Sequence, residues 1–302
     1  MPKLHHPSRK TKALPRVQSG SHKMIMVYYL KLFTRVFCCT MICFFVFITT
    51  VLADVTLCTW NLKDFGSSKN DEEIKFIANT IKHYDIIAIQ EVVAGDGGAE
   101  AVARLSDQLN RMGIKWDYVV SDPTSGNSYK RERYAFVWKS NRVQKIGHAW
   151  LEKKYEAEID REPFFIIVKV EGKMITLSNF HAITKSMNPE TEIKYFKFLP
   201  EQYSDQNIIF CGDFNLPQSH TVFNPLKKLD YKPVIEQQKT SLKQECINND
   251  CLASEFDNIF YQSQKIKFSG AKVIHFYKEF SSLSDALKIS DHVPVIFRFS
   301  IF

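Results

Sequence analysis

Apolar residues recur along this chain with two different periods. Val55 to Trp60 alternates as a strand, and short apolar runs at Asp85–Gln90, Asp117–Ser121, Tyr134–Lys139, Phe164–Val170 and Met174–Asn179 read as further strands. Later strands are expected at Asn207–Cys211, Asn258–Tyr261, Lys267–Ile274 and Val293–Phe299. Asp71–Tyr84 instead sets Ile74, Ile77, Ala78 and Ile81 at helical spacing. Glu100–Met112 does the same with Val102, Leu105, Leu109 and Met112, and Gly113 follows as a cap. Glu190–Leu199 reads as a third helix. Strand–helix–strand units mixed with hairpin-like strands predict an α/β domain with two packed sheets and outer helices. No internal repeat or low-complexity segment follows residue 53.

Several apolar runs end in polar side chains. The first strand runs through Trp60 into Asn61, and Ile86–Ile89 runs through Gln90 into Glu91. Met174–Leu177 leads through Ser178-Asn179-Phe180 to His181, and Asn207–Cys211 leads into Gly212-Asp213-Phe214-Asn215. Ser290-Asp291-His292 adjoins the last strand. Alone, an Asp-x-Asn after a strand is a turn or a cap, and a Ser-Asp-His is an N-cap. Together they describe strands that deliver polar groups to one edge of a sheet, as parallel-rich sheets do. Their oxygens suit a hard divalent cation such as Mg²⁺. Two histidines beside such an ion suit phosphoryl transfer.

Composition bounds the picture without deciding it. The 302 residues are enough for one large domain with a sizeable core. The net charge of +7 misleads, because eight of the 40 basic residues and no acidic residue fall in positions 1–53. The remainder holds 32 basic against 33 acidic residues, about −1 net, so any affinity for nucleic acid would have to come from a local basic patch and a bound metal, not a global field. Lys31 and Arg35 precede an apolar run, Val36–Leu52, of about 17 residues, and Val51-Leu52-Ala53 offers a signal-peptidase site. Cleavage after Ala53 would leave residues 54–302 as a catalytic domain, secreted or periplasmic; an uncleaved leader would anchor it in a membrane. Residues 1–23 read as a disordered basic extension, or as an upstream misassigned start before Met24 or Met26. Cys246 and Cys251 flank a polar loop suited to a disulfide, whereas Cys58 and Cys211 lie in apolar strands as buried thiols. No Cys/His cluster suggests zinc.

The motifs together resemble the endonuclease/exonuclease/phosphatase superfamily and, within it, the deoxyribonuclease I branch, over roughly Val55 to Phe299. The stretch from Tyr118 to Trp138 carries the resemblance most fully, with Arg161-Glu162-Pro163-Phe164 and Ser290-Asp291-His292-Val293-Pro294 beside it. The resemblance implies a four-layer α/β/β/α sandwich of two mixed sheets. It implies Glu91 as principal metal ligand, with Asn61, Asp213 and Asp291 on the metal side. His181 and His292 become the acid/base pair, oriented by Glu132 and Asp257, and Asn215 donates to a phosphate oxygen. Tyr129, Arg133 and Arg161 become substrate clamps. The implied activity is Mg²⁺-dependent hydrolysis of double-stranded DNA to 5′-phosphate ends, by a monomer without a stable protein partner. Mn²⁺ is an alternative ion, and calcium dependence stays open.

The chain also departs from the pattern. The family places an arginine two residues after its motif glutamate, where this chain has Val93, followed by Ala94-Gly95-Asp96-Gly97-Gly98, which reads as flexible and acidic rather than basic. Lys130-Arg131-Glu132-Arg133 carries one extra residue. The family's long-range disulfide has no partner near Asp213-Phe214-Asn215. Competing readings are a sphingomyelinase, a phosphoinositide phosphatase or a nuclease toxin subunit, and, from another class, a membrane-tethered binding protein without catalysis. The intact polar set argues against the last.

Overall fold

Strands whose two faces are both apolar must be covered on both sides, and that requirement sets the architecture. The computed structural model describes residues 24–35, 54–126, 131–204 and 206–302. Residues 24–35 form helix α1. Then follow β1 (Val55–Phe65), α2 (Asp71–Ile81), β2 (Ile86–Val93), α3 (Asp96–Asn110), β3 (Trp116–Val120), β4 (Glu132–Lys139) and β5 (Val143–Leu151). Next come β6 (Phe164–Val170), β7 (Lys173–His181), α4 (Glu190–Ile193), α5 (Leu199–Gln202), β8 (Ile208–Asp213), α6 (Asn224–Lys227) and β9 (Tyr231–Pro233). The chain ends with β10 (Leu242–Ile247), β11 (Asp250–Leu252), β12 (Asp257–Gln262), β13 (Ile266–Val273), α7 (Leu283–Ile289) and β14 (Val295–Ile301). Two units divide the chain, Met1–Val51 and Leu52–Phe302. No helix among the described residues is long and apolar enough to cross a membrane. The expected signal run at 36–52, its Ala53 site and residues 1–23 lie outside the described residues.

The second unit is the expected sandwich. One six-stranded sheet has the order β13-β14-β1-β2-β4-β3, the other β5-β6-β7-β8-β12-β9. Leu57, Ile86, Phe136 and Phe297 of the first sheet pack against Ile166, Leu177, Ile209 and Ile259 of the second. The outer face of the first sheet is covered by α2, α3 and α7, with Ile77, Leu105 and Ile289 buried there. The outer face of the second is covered by the short helices around Ile193, Leu199 and Leu226.

Each sheet holds one parallel pair, β1 beside β2 and β7 beside β8; the remaining pairs are antiparallel. The sheets are therefore mostly antiparallel rather than parallel-rich. What matters is which strands are parallel, since these four carry Asn61, Glu91, His181 and Asp213 at their ends. Parallel neighbours finish at the same edge, so His181 pairs directly with Asp213.

Several elements differ from the sequence expectation. β1 runs past Trp60 to Phe65 through an irregularity between Asn61 and Phe65. α3 begins at Asp96, so the glycine-rich stretch is the first turn of a helix rather than a flexible loop. The reason is close packing: a Cβ on Gly98 would sit 1.9 Å from the carbonyl oxygen of Val93. The expected helix Glu190–Leu199 breaks into α4, a 3₁₀ turn at Phe196–Phe198, and α5. Pro200 has no N–H to continue the ladder. β5 and α7 were not expected, because one is an edge strand whose residues are mostly only partly buried, without a clean alternation, and the other a short helix. Asn70 caps α2 with a capping box: its side chain accepts from the Glu73 backbone while Glu73 reaches back. Cys246 and Cys251 are disulfide-bonded, and Cys58 and Cys211 are buried thiols.

Gly212 combines two demands at the mouth of β8. Its φ is +139°, and a Cβ there would lie 1.9 Å from the carbonyl oxygen of Phe180 on β7. Gly212→Ala should destabilise the domain by about 3 kcal/mol, from backbone strain plus overpacking. The urea-unfolding midpoint of the variant against wild type checks this.

Candidate active site

The face that each strand turns toward the opposite sheet changes character along its length. On β1 it reads Val55, Leu57, Thr59, Asn61; on β2, Ile86, Ala88, Gln90. On β7 it reads Ile175, Leu177, Asn179, His181; on β8, Ile209, Cys211, Asp213. The inter-sheet core is thus apolar for most of its depth, then carries a layer of amides and a hydroxyl, then the charged groups. In the amide layer Gln90 Nε2 donates to Thr59 Oγ1 at 3.0 Å and to Asn179 Oδ1 at 2.5 Å, across the sandwich. Asn179 Nδ2 returns to the carbonyls of Ile89 and Ala135 at 3.0 and 3.2 Å.

Above this layer Asn61 Nδ2 donates to Glu91 Oε1 at 2.9 Å and to Asp213 Oδ2 at 3.2 Å, joining the two sheets. Glu91 has a left-handed backbone, φ 58°, at an irregularity where β2 leaves register with β4 between Ile89 and Val92. Such bulges turn a side chain away from regular alternation, and here the carboxylate turns into the site. Its Oε2 accepts from the Asp64 backbone at 3.1 Å. Asp213 Oδ1 accepts from the Asn215 backbone at 2.9 Å, and Asn215, at φ 52°, donates from Nδ2 to Ala182 O at 3.0 Å.

Two imidazoles converge on Asp213. His181 Nε2 stands 3.6 Å and His292 Nε2 3.5 Å from Asp213 Oδ2. His181 Nε2 is also 4.0 Å from Glu91 Oε1. Each ring is backed by a carboxylate on Nδ1: Glu132 at 3.0 Å for His181, Asp257 at 2.7 Å for His292. Glu132 and Asp257 open antiparallel strands β4 and β12, whose first residues lie at the edge where β1, β2, β7 and β8 finish. Ser290 Oγ donates to Asn61 O at 2.5 Å and accepts from the His292 backbone at 2.9 Å, fixing the approach of His292.

The surroundings make the two histidines unlike. Burial pushes His181 down to about 4, and the adjacent Arg161 guanidinium adds to this against Asp213 and Glu91. Burial opposes charge on His292 too, but Asp257 and Asp213 outweigh it and hold its pKa well above the usual value. Burial lifts Glu132 to about 7, with Arg161 pulling the other way.

The structure brings Asn61, Glu91, Glu132, His181, Asp213, Asn215, Asp257 and His292 into one cluster. Other candidates fall differently. Arg161 is buried, with NH1 3.1 Å from both Glu132 Oε2 and His181 Nδ1 and NH2 donating to Ala182 O, so it stands behind His181. Arg133 donates through Nε to the carbonyl of Ala94 at 2.9 Å and through NH1 to that of Ser121 at 2.8 Å, which ties its guanidinium back to the chain. The Asp291 carboxylate makes none of the cluster's hydrogen bonds or ion pairs; it lies between Ser290 and His292, which reach inward, and its own carbonyl accepts from Leu242 N at 2.6 Å. Tyr129 lies outside the described residues.

Supporting groups missed in the sequence are Asn179, Tyr134 and Thr240. Tyr134 Oη accepts from the His181 backbone at 3.1 Å and donates to Arg161 O at 3.2 Å. Thr240 Oγ1 accepts from Asp257 N at 2.9 Å. A polar residue on the apolar face of a strand would have flagged Asn179; nothing local marks Thr240.

The donor set fits a hard divalent cation. Asn61 Oδ1 and Asp257 Oδ1 are buried without a hydrogen-bond partner. Asp213, Asp257 and His292 offer ligand atoms within 4.8 Å of one another, with His292 Nδ1 already held by Asp257 Oδ2 at 2.7 Å. The carboxylate oxygens of Glu91 and Asp213 fit such an ion, and the unpartnered Asn61 Oδ1 can join them once its amide turns over, since Nδ2 now faces both carboxylates.

A model of the endonuclease/exonuclease/phosphatase family matches residues 58–292, spanning this whole constellation. The chain belongs to that family. It is 29% identical over 269 residues to human deoxyribonuclease gamma, covering 80% of this chain and 85% of that protein. It is 26% identical over 275 residues to a deoxyribonuclease of a Thioalkalivibrio strain, covering 83% and 72%. Among solved structures, a family member from Bacteroides thetaiotaomicron shares the fold with a TM-score of 0.60 at 14% identity, covering 83% of this chain and 98% of its own.

Asp257→Asn should lower the turnover rate about 10³-fold with the fold intact, because the amide can no longer favour charge on His292. Turnover measured beside a thermal melt checks this.

Proposed function

We propose that this protein is an exported, divalent-metal-dependent endonuclease that hydrolyses DNA phosphodiester bonds and leaves 5′-phosphate ends. The observation that carries the proposal is the convergence of two carboxylate-backed imidazoles on Asp213, beside the Glu91–Asn61 row. The deoxyribonuclease names of its sequence relatives support DNA as the substrate. Export is supported by the apolar run at 36–52 and by the Cys246–Cys251 disulfide, and residues 54–302 form the proposed catalytic domain.

Glu91 and Asp213, with Asn61 beside them, would hold the cation, Mg²⁺ or Mn²⁺, and Asp291, whose charge acts on His292, remains the proposed further carboxylate on the metal side. When bound, such an ion neutralises phosphate charge and acidifies water. The chain's own residues do the rest. One imidazole takes the proton of the attacking water, and the other gives a proton to the leaving 3′ oxygen. Glu132 and Asp257 fix both rings through Nδ1, which leaves both Nε2 atoms facing the substrate. Asn215 keeps one amide N–H for a phosphate oxygen, and Arg161 lends positive charge from behind His181.

The deciding assay is plasmid nicking in Mg²⁺ or Mn²⁺ beside sphingomyelin and inositol phosphate substrates. Relaxation of the plasmid without turnover of the others is expected; the converse would give the site to another branch of the family. Glu91→Gln should raise the Mg²⁺ concentration at half-maximal rate while leaving DNA affinity within about twofold, because phosphate contacts and not this carboxylate hold the duplex. An unchanged Mg²⁺ midpoint would remove Glu91 from the metal site.

A further inference from the structure

A cleft of about 370 Å³ opens beside the catalytic carboxylates, and its lining is mostly acidic where it carries charge: Asp64, Glu91, Glu132 and Asp160. A DNA strand entering it meets net repulsion unless a cation faces the opening. Two arginines line this cleft, Arg131 and Arg161. Arg161 is 9% exposed, and its terminal nitrogens are taken up by Glu132, His181 and Ala182 O. Arg133, next along the chain, is spent on the carbonyls of Ala94 and Ser121.

Arg131 differs from both. It is exposed, and only its Nε is engaged, donating to Gly126 O at 3.0 Å. Neither terminal nitrogen of its guanidinium makes a hydrogen bond or ion pair among the described residues. The Nε contact orients the group and leaves its outer edge, a planar fork matched to phosphate, open. The ladder between β2 and β4 pairs Val93 with Glu132, so Arg131 follows directly beyond Val93 on the neighbouring strand. Val93 is 38% exposed and lines the same cleft.

We propose that Arg131 is a DNA-binding residue of this chain, holding a phosphate that flanks the scissile bond and supplying, just before β4, the cation that position 93 on β2 lacks. The inference rests on the deoxyribonuclease reading. It ties two departures from the family pattern together: the extra residue in Lys130-Arg131-Glu132-Arg133 provides the charge, and Val93 is where the charge is missing.

The test uses the full chain on supercoiled plasmid in Mg²⁺, with duplex binding measured across a salt series in Ca²⁺-free EDTA buffer. Arg131→Ala should raise KM about tenfold, the worth of a charge-assisted contact, with kcat within about twofold. The slope of log affinity against log salt should fall by about one. Arg131→Lys should keep the slope but recover only part of KM, since an ammonium lacks the fork. The double variant Val93→Arg/Arg131→Ala should regain both slope and KM. Should the alanine variant melt early, Arg131→Gln, which retains a donor for Gly126 O, reads the same slope. An Arg131→Ala protein with wild-type KM and salt slope on a plasmid that wild type cleaves would overturn the inference alone. A wild-type protein that leaves DNA uncut would instead overturn the deoxyribonuclease reading, and this inference with it.

Discussion

One hydrogen-bonded group holds the site together across the sandwich. Asn61 on one sheet donates both to Glu91 beside it and to Asp213 on the opposite sheet. Neither sheet alone contains a site: Glu91, Glu132 and Asn61 come from the first, His181, Asp213 and Asp257 from the second. The alignment of the two sheets at this edge is therefore a condition of chemistry as well as of stability. It is secured one layer deeper by Gln90 and Asn179, whose amides meet between the sheets and also satisfy backbone carbonyls. Buried amides are costly when unpaired, so this layer penalises any shift of one sheet against the other. The apolar core below tolerates sliding far better, because dispersion and burial are not directional.

Strand direction then accounts for why so many polar groups share one edge. β1, β2, β7 and β8 arrive with their C-terminal ends, and the antiparallel β4 and β12 depart with their N-terminal ends. Gly212 and Gly98 permit the backbone approaches that this convergence requires. Electrostatics differentiates the product. Arg161 stands against His181 and Asp257 against His292, so two chemically identical rings occupy opposite settings around a shared Asp213.

Much of this was legible in the sequence, for reasons visible at particular residues. The apolar strands entering Asn61, Glu91, His181 and Asp213 announce themselves because burial on both faces demands continuous apolar runs that stop where the site begins. The helix at Asp71 carries its own start signal in Asn70 and Glu73. Features set by tertiary contact were not legible. Nothing local shows that Arg133 would turn back to Ala94 and Ser121. The glycine-rich stretch at 94–98 looks like a flexible loop until its packing against Val93 is known. Pro200 was a visible warning that Glu190–Leu199 could not run on as one helix.

Water attack at phosphorus with loss of the 3′ oxygen is the chemistry that the paired imidazoles and the oxygen-donor row imply. The most direct measurement is plasmid nicking in ¹⁸O-enriched water with Mg²⁺, followed by mass analysis of the new termini. One solvent oxygen on a 5′-phosphate, opposite an unlabelled 3′-hydroxyl, is the result predicted. Label on a 3′-phosphate terminus, or 5′-phosphates free of solvent oxygen, would contradict it.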